Sequence, residues 1–231
     1  MVRVLLAMAI LVCGLAVSAF AAGDELATFS LGEKASCWGP VFIHYVPSLT
    51  TIINTAIPNE SGEMEIRVAK LRLSARSGDT LIVDYTEGPS CDPAFIISRV
   101  EKCGPRRLDW AIDGLDLEVP GDGFLYVRGH TDSWFDMRRK FTVEGGNLRE
   151  VKQPFYYVGL ETKTLRQIPV FSTQGCSEYI GRIEEGVPVT VLLSDGRTFL
   201  LKTDHDILVW WRPQITQQRA EEIEGIYLKG D

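Results

Sequence analysis

Alternation of apolar and polar positions is clearest between Tyr157 and Pro213. In the stretch VPVTVLL, the valines at 187, 189 and 191 and Leu193 share one side, as the two-residue period of a β-strand requires. The sequence SDGR then predicts a tight turn with Gly196 at positive φ. The strands TFLLKT and ILVWWR follow, separated by the turn DHD, and Pro213 ends the last of them. A tightly turned meander of about 57 residues closes most economically as a small β-barrel.

The first half of the chain also alternates, in shorter runs separated by turn residues. The runs are VFIHYV, Thr50 to Ile57, IRVAKLRLSAR, TLIVDY, PAFIISRV, LDWAI, LDLEV, FLYVRG and MRRKFTV. Each has one apolar face, which predicts sheets buried on one side and wet on the other. About eight such strands must pack face to face, so we predict a β-sandwich of the jelly-roll kind. Glu144 to Asn147 (EGGN) is interpreted as the linker to the barrel.

The last segment has a different period. Ala220, Ile223 and Tyr227 recur at helical spacing after Thr216, a residue suited to an N-cap. We therefore predict a short amphipathic helix that docks on the barrel.

The first 21 residues have the three parts of a secretory signal peptide. Arg3 precedes the apolar run VLLAMAILVCGLAV, and Ala19-Phe20-Ala21 forms a small-x-small cleavage site. The alternative, a membrane anchor, requires about 20 apolar residues, and this run is shorter. We expect a periplasmic or secreted protein without a membrane span after cleavage.

Charge narrows the class of partner. The formal charge is −7, and loss of Arg3 with the signal peptide makes it −8. Nucleic-acid binding depends on clustered Lys and Arg, so this balance argues against it. The expected organisation is a signal peptide (1–21), a β-sandwich (22–150), a barrel (151–213) and a helical tail (214–231), an all-β protein overall.

Four cysteines remain after the predicted cleavage. An even number in an exported chain indicates two disulfides, for which three connectivities exist. Cys91 and Cys103 close the shortest loop, so we favour that bond, which leaves Cys37 to pair with Cys176. A metal site is the alternative, but the chain lacks paired C-x-x-C spacing and has three histidines.

The stretches VGLETKTLRQIPVFS and SEYIGRIEEGVPVTVLLSDGRTFLLKTDHDILVWW together resemble the bacterial SH3-like (SH3b) domain. The resemblance covers about a quarter of the chain. It departs from the family pattern at Phe171 to Gly175 and at Val209, where a glycine usually precedes the tryptophan. It implies an SH3-like barrel that contacts peptidoglycan or a protein partner.

A second resemblance covers LRLSARSGDTLIVDY, PAFIISR and LEVPGDGFLYVRGHTDSWFDMRRKFTV, which are similar to the bacterial pre-peptidase C-terminal domain. That family implies a non-enzymatic accessory β-sandwich. The calcium-holding acidic residues of some sandwiches are matched by Asp79, Asp122, Asp132 or Asp136, but a D-x-D-x-D loop is missing. We therefore predict neither a metal nor a cofactor.

No combination of residues predicts catalysis. Cys37-Trp38 suggests a cysteine peptidase, but ASCWGP lacks the glycine-containing signature and a following helix. His44, His130 and His205 are interpreted as structural or solvated residues, and the serines lack a G-x-S-x-G context. We predict that the protein is not an enzyme.

Aromatic residues carry the binding hypothesis. Trp210 and Trp211 are adjacent on a strand, so they face opposite sides and only one can lie in the core. We expect the other to form a ligand groove with neighbouring aromatic residues. The candidate ligand-binding residues are Phe171, Tyr179, Phe199, Trp210 and Trp211. The alternative is that the second tryptophan packs on the tail or on the first domain; Trp134-Phe135 is a second candidate patch.

These observations predict an exported binding or scaffolding protein of the cell envelope, with peptidoglycan or an envelope protein as its partner. The alternatives are an accessory subunit that adds a strand to a partner's sheet, and an unrecognised cell-wall hydrolase.

Overall fold

The computed structural model describes residues 25–32, 36–59, 62, 64–88, 92–108, 111–129, 133–214 and 221–228. These residues form eighteen strands in three sheets and one short 3-10 turn, Pro47–Leu49. The all-β prediction is confirmed. The predicted signal peptide lies outside the described residues. Among those described, no helix has the length and apolar character needed to cross a membrane.

The first domain contains two sheets. The front sheet has the order β1-β2-β9-β10-β11-β12, and its strands are β1 (Ala27–Ser30), β2 (Phe42–Tyr45), β9 (Asp116–Val119), β10 (Leu125–Gly129), β11 (Met137–Glu144) and β12 (Asn147–Glu150). The back sheet has the order β3-β4-β5-β6-β7, with β8 paired to β6, and its strands are β3 (Thr50–Pro58), β4 (Met64–Leu71), β5 (Leu81–Thr86), β6 (Ala94–Glu101), β7 (Gly104–Arg107) and β8 (Ile112–Asp113). The connection is unusual at one point: β2 and β9 pair in parallel, and the whole back sheet lies between them in the chain.

One hydrophobic core joins the two sheets, so the predicted β-sandwich is confirmed. Ile43, Leu117 and Leu125 from the front sheet pack in the same cluster as Leu81 and Phe95 from the back sheet. Fully burying a side chain of this size stabilises the fold by about 1.5–3 kcal/mol. The outer face of the front sheet carries mainly polar and charged residues, among them His44, Glu118 and Arg128.

The outer face of the back sheet is not wet, contrary to the one-sided pattern expected. Asp84 is only 5 % exposed, and its cross-strand neighbours are Arg67 and Ile96. The Arg67 guanidinium donates to both Asp84 carboxylate oxygens at 2.9 and 3.2 Å. The long arginine side chain covers its apolar neighbours while its charge is paired.

The second domain is a single sheet, called here the curled sheet, with the order β13-β16-β17-β18-β14-β15. Its strands are β13 (Tyr156–Lys163), β14 (Ile168–Phe171), β15 (Tyr179–Ile183), β16 (Pro188–Ser194), β17 (Phe199–Thr203) and β18 (Leu208–Trp211). Residues on one face of β14 to β18 all join one core that includes Val191, Phe199 and Trp211. A sheet whose face shares one core must curl around it, and β13 and β15 remain as its edges.

The predicted C-terminal helix is wrong for the residues described. Ile223 pairs with Thr164 and with Ile226 in isolated β-bridges, and Glu224-Gly225 makes the turn between them with Gly225 at φ +81°. Ile223 and Ile226 are buried in the core of the curled sheet. The segment 221–228 is therefore a tight turn that packs into this core, and we call it the plug. Residues 215–220 of the predicted helix lie outside the described range.

The segment that connects the two domains differs from the one predicted. Glu144 to Asn147 is not a linker but a hairpin turn, because Val143 pairs with Leu148 on either side of it. The connection consists of residues 151–155 instead.

Phe135, from the β10–β11 connection of the front sheet, inserts into the core of the curled sheet, with its ring 5.8 Å from that of Phe199. This contact fixes the two domains against each other.

The predicted Cys37–Cys176 disulfide is wrong, because no two of the described cysteines lie within disulfide distance. Cys37 lies in the turn that leads into β2 of the front sheet, whereas Cys176 lies in the β14–β15 loop of the curled sheet. The Arg212–Gly175 and Gln174–Asp195 hydrogen bonds hold that loop in its own domain. Cys103 is exposed in the β6–β7 turn, and its predicted partner Cys91 lies outside the described residues, so that pairing stays a prediction.

Candidate functional site: an aromatic row and an interdomain cleft

A row of apolar side chains crosses the outer face of the curled sheet from edge to edge. Directly paired residues point to the same side of a sheet, and the pairing links one residue from each strand into the row. In spatial order these are Tyr157, Leu193, Leu200, Trp210, Phe171 and Tyr179. We call this set the aromatic row. Six strands at about 4.8 Å give it a length of roughly 24 Å. Leu193 lies on this face and not, as predicted, on the side of Val191, because the β16–β17 register shifts between the two residues.

The two tryptophans divide between the faces of the sheet. Trp211 is fully buried in the core, where its Nε1–H donates to Oε2 of the buried Glu222 at 3.1 Å. Trp210 is half-buried on the outer face, where its ring lies 6.0 Å from Phe155 of the connecting segment. Its partner is therefore this segment and not a tail helix. Trp210 still contributes surface at the centre of the row.

The end of the row formed by Phe171 and Tyr179 is also exposed. Tyr179 is 56 % exposed and meets Phe171 edge to face, with ring centroids 6.2 Å apart. Ile180, the residue that follows Tyr179 in the chain, is also exposed. Folded proteins normally bury residues of this kind, so a contiguous exposed group of them indicates a contact surface.

Three of the five candidate ligand-binding residues thus meet on one surface, namely Phe171, Tyr179 and Trp210. Phe199 and Trp211 do not, because both are fully buried and pack against each other with centroids 5.4 Å apart. Trp134-Phe135 is not an exposed patch either, since Phe135 is buried and Trp134 packs against the same core.

A second concave feature lies between the domains. This cleft has a volume of about 1390 Å³ and separates the outer face of the front sheet from β13 and the plug. From the front sheet and its connections it is lined by His44, Asp116, Glu118, Asp122, Tyr126, Arg128, Asp136 and Arg138. From the other side Tyr157, Gly159, Gly225 and Tyr227 contribute, and Trp38 also borders it.

The charged residues of the cleft form a network. Arg128 contacts Asp136 at 3.3 Å and Asp116 at 4.0 Å, and Arg138 pairs with Glu118. The Tyr126 hydroxyl donates to Asp122 at 2.8 Å. Four carboxylates line the cleft against two guanidiniums, so with neutral His44 the net charge of the lining is −2.

Burial raises the pKa of two groups in this network. Desolvation raises the pKa of the Asp116 carboxyl above its ordinary value, and the charge of Arg128 offsets this only in part. Desolvation, together with the Asp122 hydrogen bond and charge, raises the pKa of Tyr126 to about 12. Asp116 therefore carries its negative charge at a cost to the folded state.

That cost predicts a stabilising substitution. An acid whose pKa is higher in the folded than in the unfolded protein contributes stability at low pH, and this contribution is lost as the pH rises through the folded-state pKa. Asp116→Asn should therefore be more stable than the wild type at pH 7, with the difference shrinking toward pH 3. Urea denaturation of both proteins between pH 3 and 7 measures this. A variant that is less stable at pH 7 would show that the Arg128 contact outweighs desolvation.

The remaining candidate residues are not brought into a reactive arrangement within the described part of the chain. His44 lines the cleft and shares a hydrogen bond of 2.9 Å with Thr28, whereas His205 is exposed in a hairpin turn. Cys37 and Cys176 lie in different domains, and His130 and Asp132 lie outside the described residues. Asp122 and Asp136 are engaged by Tyr126 and Arg128, and no described group of three or more His, Cys, Asp or Glu side chains could hold a metal ion.

Sequence reasoning missed Tyr157, which is 73 % exposed and belongs to both features. Its ring lies over Gly159, where an added Cβ would come within 2.4 Å of it. Gly159 has φ +66°, and the β13–β16 register shifts between Tyr157 and Leu160. Such a bulge redirects side chains. The glycine two residues after an exposed tyrosine was the available signal.

A scan against protein-family models finds no matching family, and searches of curated proteins and of solved structures find no similar protein.

Proposed function

We propose that the protein is an exported, non-enzymatic binding module of the bacterial cell envelope, and that the aromatic row binds peptidoglycan. One observation supports this most directly: an apolar and aromatic surface spans all six strands of the curled sheet and remains partly exposed. The signal-peptide pattern and the resemblance of this region to SH3b domains favour an envelope polymer as the occupant.

The dimensions of the row fit a polymer. Its length of roughly 24 Å suits an extended chain more than a single small molecule. Aromatic rings offer large, rigid contact area with little conformational entropy to lose, and Tyr179 adds a hydroxyl that can hydrogen-bond to a sugar or peptide. The half-buried Trp210 is already held by Phe155, so it is ordered before the ligand arrives.

Co-sedimentation with purified peptidoglycan sacculi tests the proposal. Trp210→Ala and Tyr179→Ala should each weaken retention roughly tenfold, the effect typical of a central aromatic contact. Met64→Ala removes a side chain that is 62 % exposed on the back sheet and should leave retention unchanged. Circular dichroism would show whether each variant is folded.

Equal retention of the wild type, Trp210→Ala and Tyr179→Ala would contradict binding by the aromatic row. Failure of the wild type to sediment with sacculi would instead favour the accessory-subunit alternative, in which a protein occupies this surface.

A further inference from the structure

We propose that the interdomain cleft is a second binding site, distinct from the Phe171–Tyr179 end of the aromatic row, and that it takes an extended peptide carrying lysine or arginine side chains. The cleft is larger than a typical pocket for a drug-sized molecule, which is about 300–1,000 Å³. Its two walls come from different domains, which Phe135 holds in a fixed relation.

The negative net charge of the cleft lining favours a cationic ligand. The two arginines of the cleft are already paired with carboxylates, so the excess of −2 comes from the acidic side chains. The whole protein is also negative, which attracts cationic ligands from a distance and repels anionic ones. Asp136 is half-exposed at 51 % of its side chain, so it can reach an incoming ammonium or guanidinium group.

Tyr157 supplies the opposite side of the site. The glycine at 159 lets its ring lie along β13, and the ring remains largely exposed where the strand lines the cleft. A cation over an aromatic ring is attracted electrostatically by the negative face of the ring. A lysine or arginine side chain placed between Tyr157 and the carboxylates would use both interactions.

The shape of the wall favours a peptide over a small amine. β13 is an edge strand that pairs with β16 on one side, and its residues 156–160 border the cleft. Peptides are commonly bound at such edges through backbone hydrogen bonds, with side-chain contacts giving specificity. The bulge in β13 limits such pairing to a few residues.

Isothermal titration with pentalysine, pentaglutamate and chitopentaose as probes tests the proposal. Pentalysine should bind, and its affinity should fall steeply when NaCl rises from 50 to 300 mM; the other two probes should not bind in the cleft. Asp136→Asn should weaken pentalysine binding about fivefold or more, because it removes a carboxylate and unmasks Arg128. Asp204→Asn, a carboxylate in the β17–β18 turn outside the cleft, should have no such effect.

The aromatic contact has its own pair of variants. Tyr157→Phe keeps the ring and should retain pentalysine binding, whereas Tyr157→Ala should weaken it about fivefold. Equal affinities for pentalysine and pentaglutamate, or identical effects of Asp136→Asn and Asp204→Asn, would overturn the proposal. Binding of chitopentaose that Tyr157→Ala abolishes, and that Trp210→Ala and Tyr179→Ala leave intact, would assign the cleft to a glycan instead. Because Asp136 lies outside the aromatic row, Asp136→Asn should leave retention on sacculi unchanged, so the two proposals fail separately.

Discussion

Replacing Trp211 by alanine should destabilise the protein by about 4 kcal/mol, the usual cost of removing a large buried aromatic side chain. The ring is fully buried and packs on Phe199 in the core of the curled sheet. The substitution has a second cost, because the buried Glu222 carboxylate loses the hydrogen bond that it accepts from the indole N–H. Urea denaturation followed by circular dichroism gives the change in unfolding free energy.

Trp210→Ala is the matched control, since it removes the same side chain one residue away. Its ring is half-buried on the outer face, so we expect a loss of about 1 kcal/mol. Trp211→Phe separates the two costs, because it keeps most of the packing and removes only the donor to Glu222. Equal effects of Trp210→Ala and Trp211→Ala would contradict the assignment of faces.

Removing residues 221–228 should unfold the curled sheet while the first domain keeps its fold. The segment contributes Ile223 and Ile226 to the core. Replacing a buried isoleucine by alanine typically lowers the free energy of unfolding by about 2–5 kcal/mol. Together these values approach the whole stability of a typical domain, about 5–15 kcal/mol. The core of the first domain includes no residue beyond Leu148 among its buried members, so it should survive.

Amide hydrogen exchange would show this result directly, as lost protection in β14 to β18 and retained protection in β4 to β6. Ile223→Ala should produce a partial version of the effect, whereas Tyr227→Ala, at a residue that is 38 % exposed, should be nearly silent. Unchanged protection in the truncated chain would show that the plug is dispensable.

The sequence was sufficient to predict strands and turns wherever one pattern stood alone. The hairpin at Asp195-Gly196 is present, with Gly196 at φ +91° and Asp195 accepting hydrogen bonds from the backbone of Arg197 and Thr198. Backbone amides of this kind lower the pKa of Asp195 despite its partial burial. The sandwich was predictable for the same reason, because each strand had an apolar face to bury.

The errors arose where one pattern fits two structures. The spacing of Ala220, Ile223 and Tyr227 fits a helix, but Ile223 and Ile226 also fit the two sides of a tight turn, which Gly225 between them favours. Leu208, Val209, Trp210 and Trp211 are all apolar, so alternation could not show which tryptophan faces the core. The cross-strand register determines which tryptophan is buried: Trp211 pairs with Phe199 and so lies on the same face of the sheet.

The cleft lay beyond any local pattern. Asp136 and Tyr157 belong to different domains, and they line one cleft because Phe135 enters a core formed by strands that come later in the chain. The Cys37–Cys176 pairing failed in the same way, since even numbers of cysteines carry no information about distance.

The parallel pairing of β2 with β9 has a consequence for how the chain reaches its native state. The two strands are about 74 residues apart, and closing so long a loop is entropically costly until the intervening chain is compact. The strands β3 to β7, by contrast, are successive antiparallel neighbours, so each can pair with the next through local contacts. We therefore expect the back sheet to nucleate folding and to bring β2 and β9 together, so that substitutions in β5 slow refolding while those in β2 mainly accelerate unfolding.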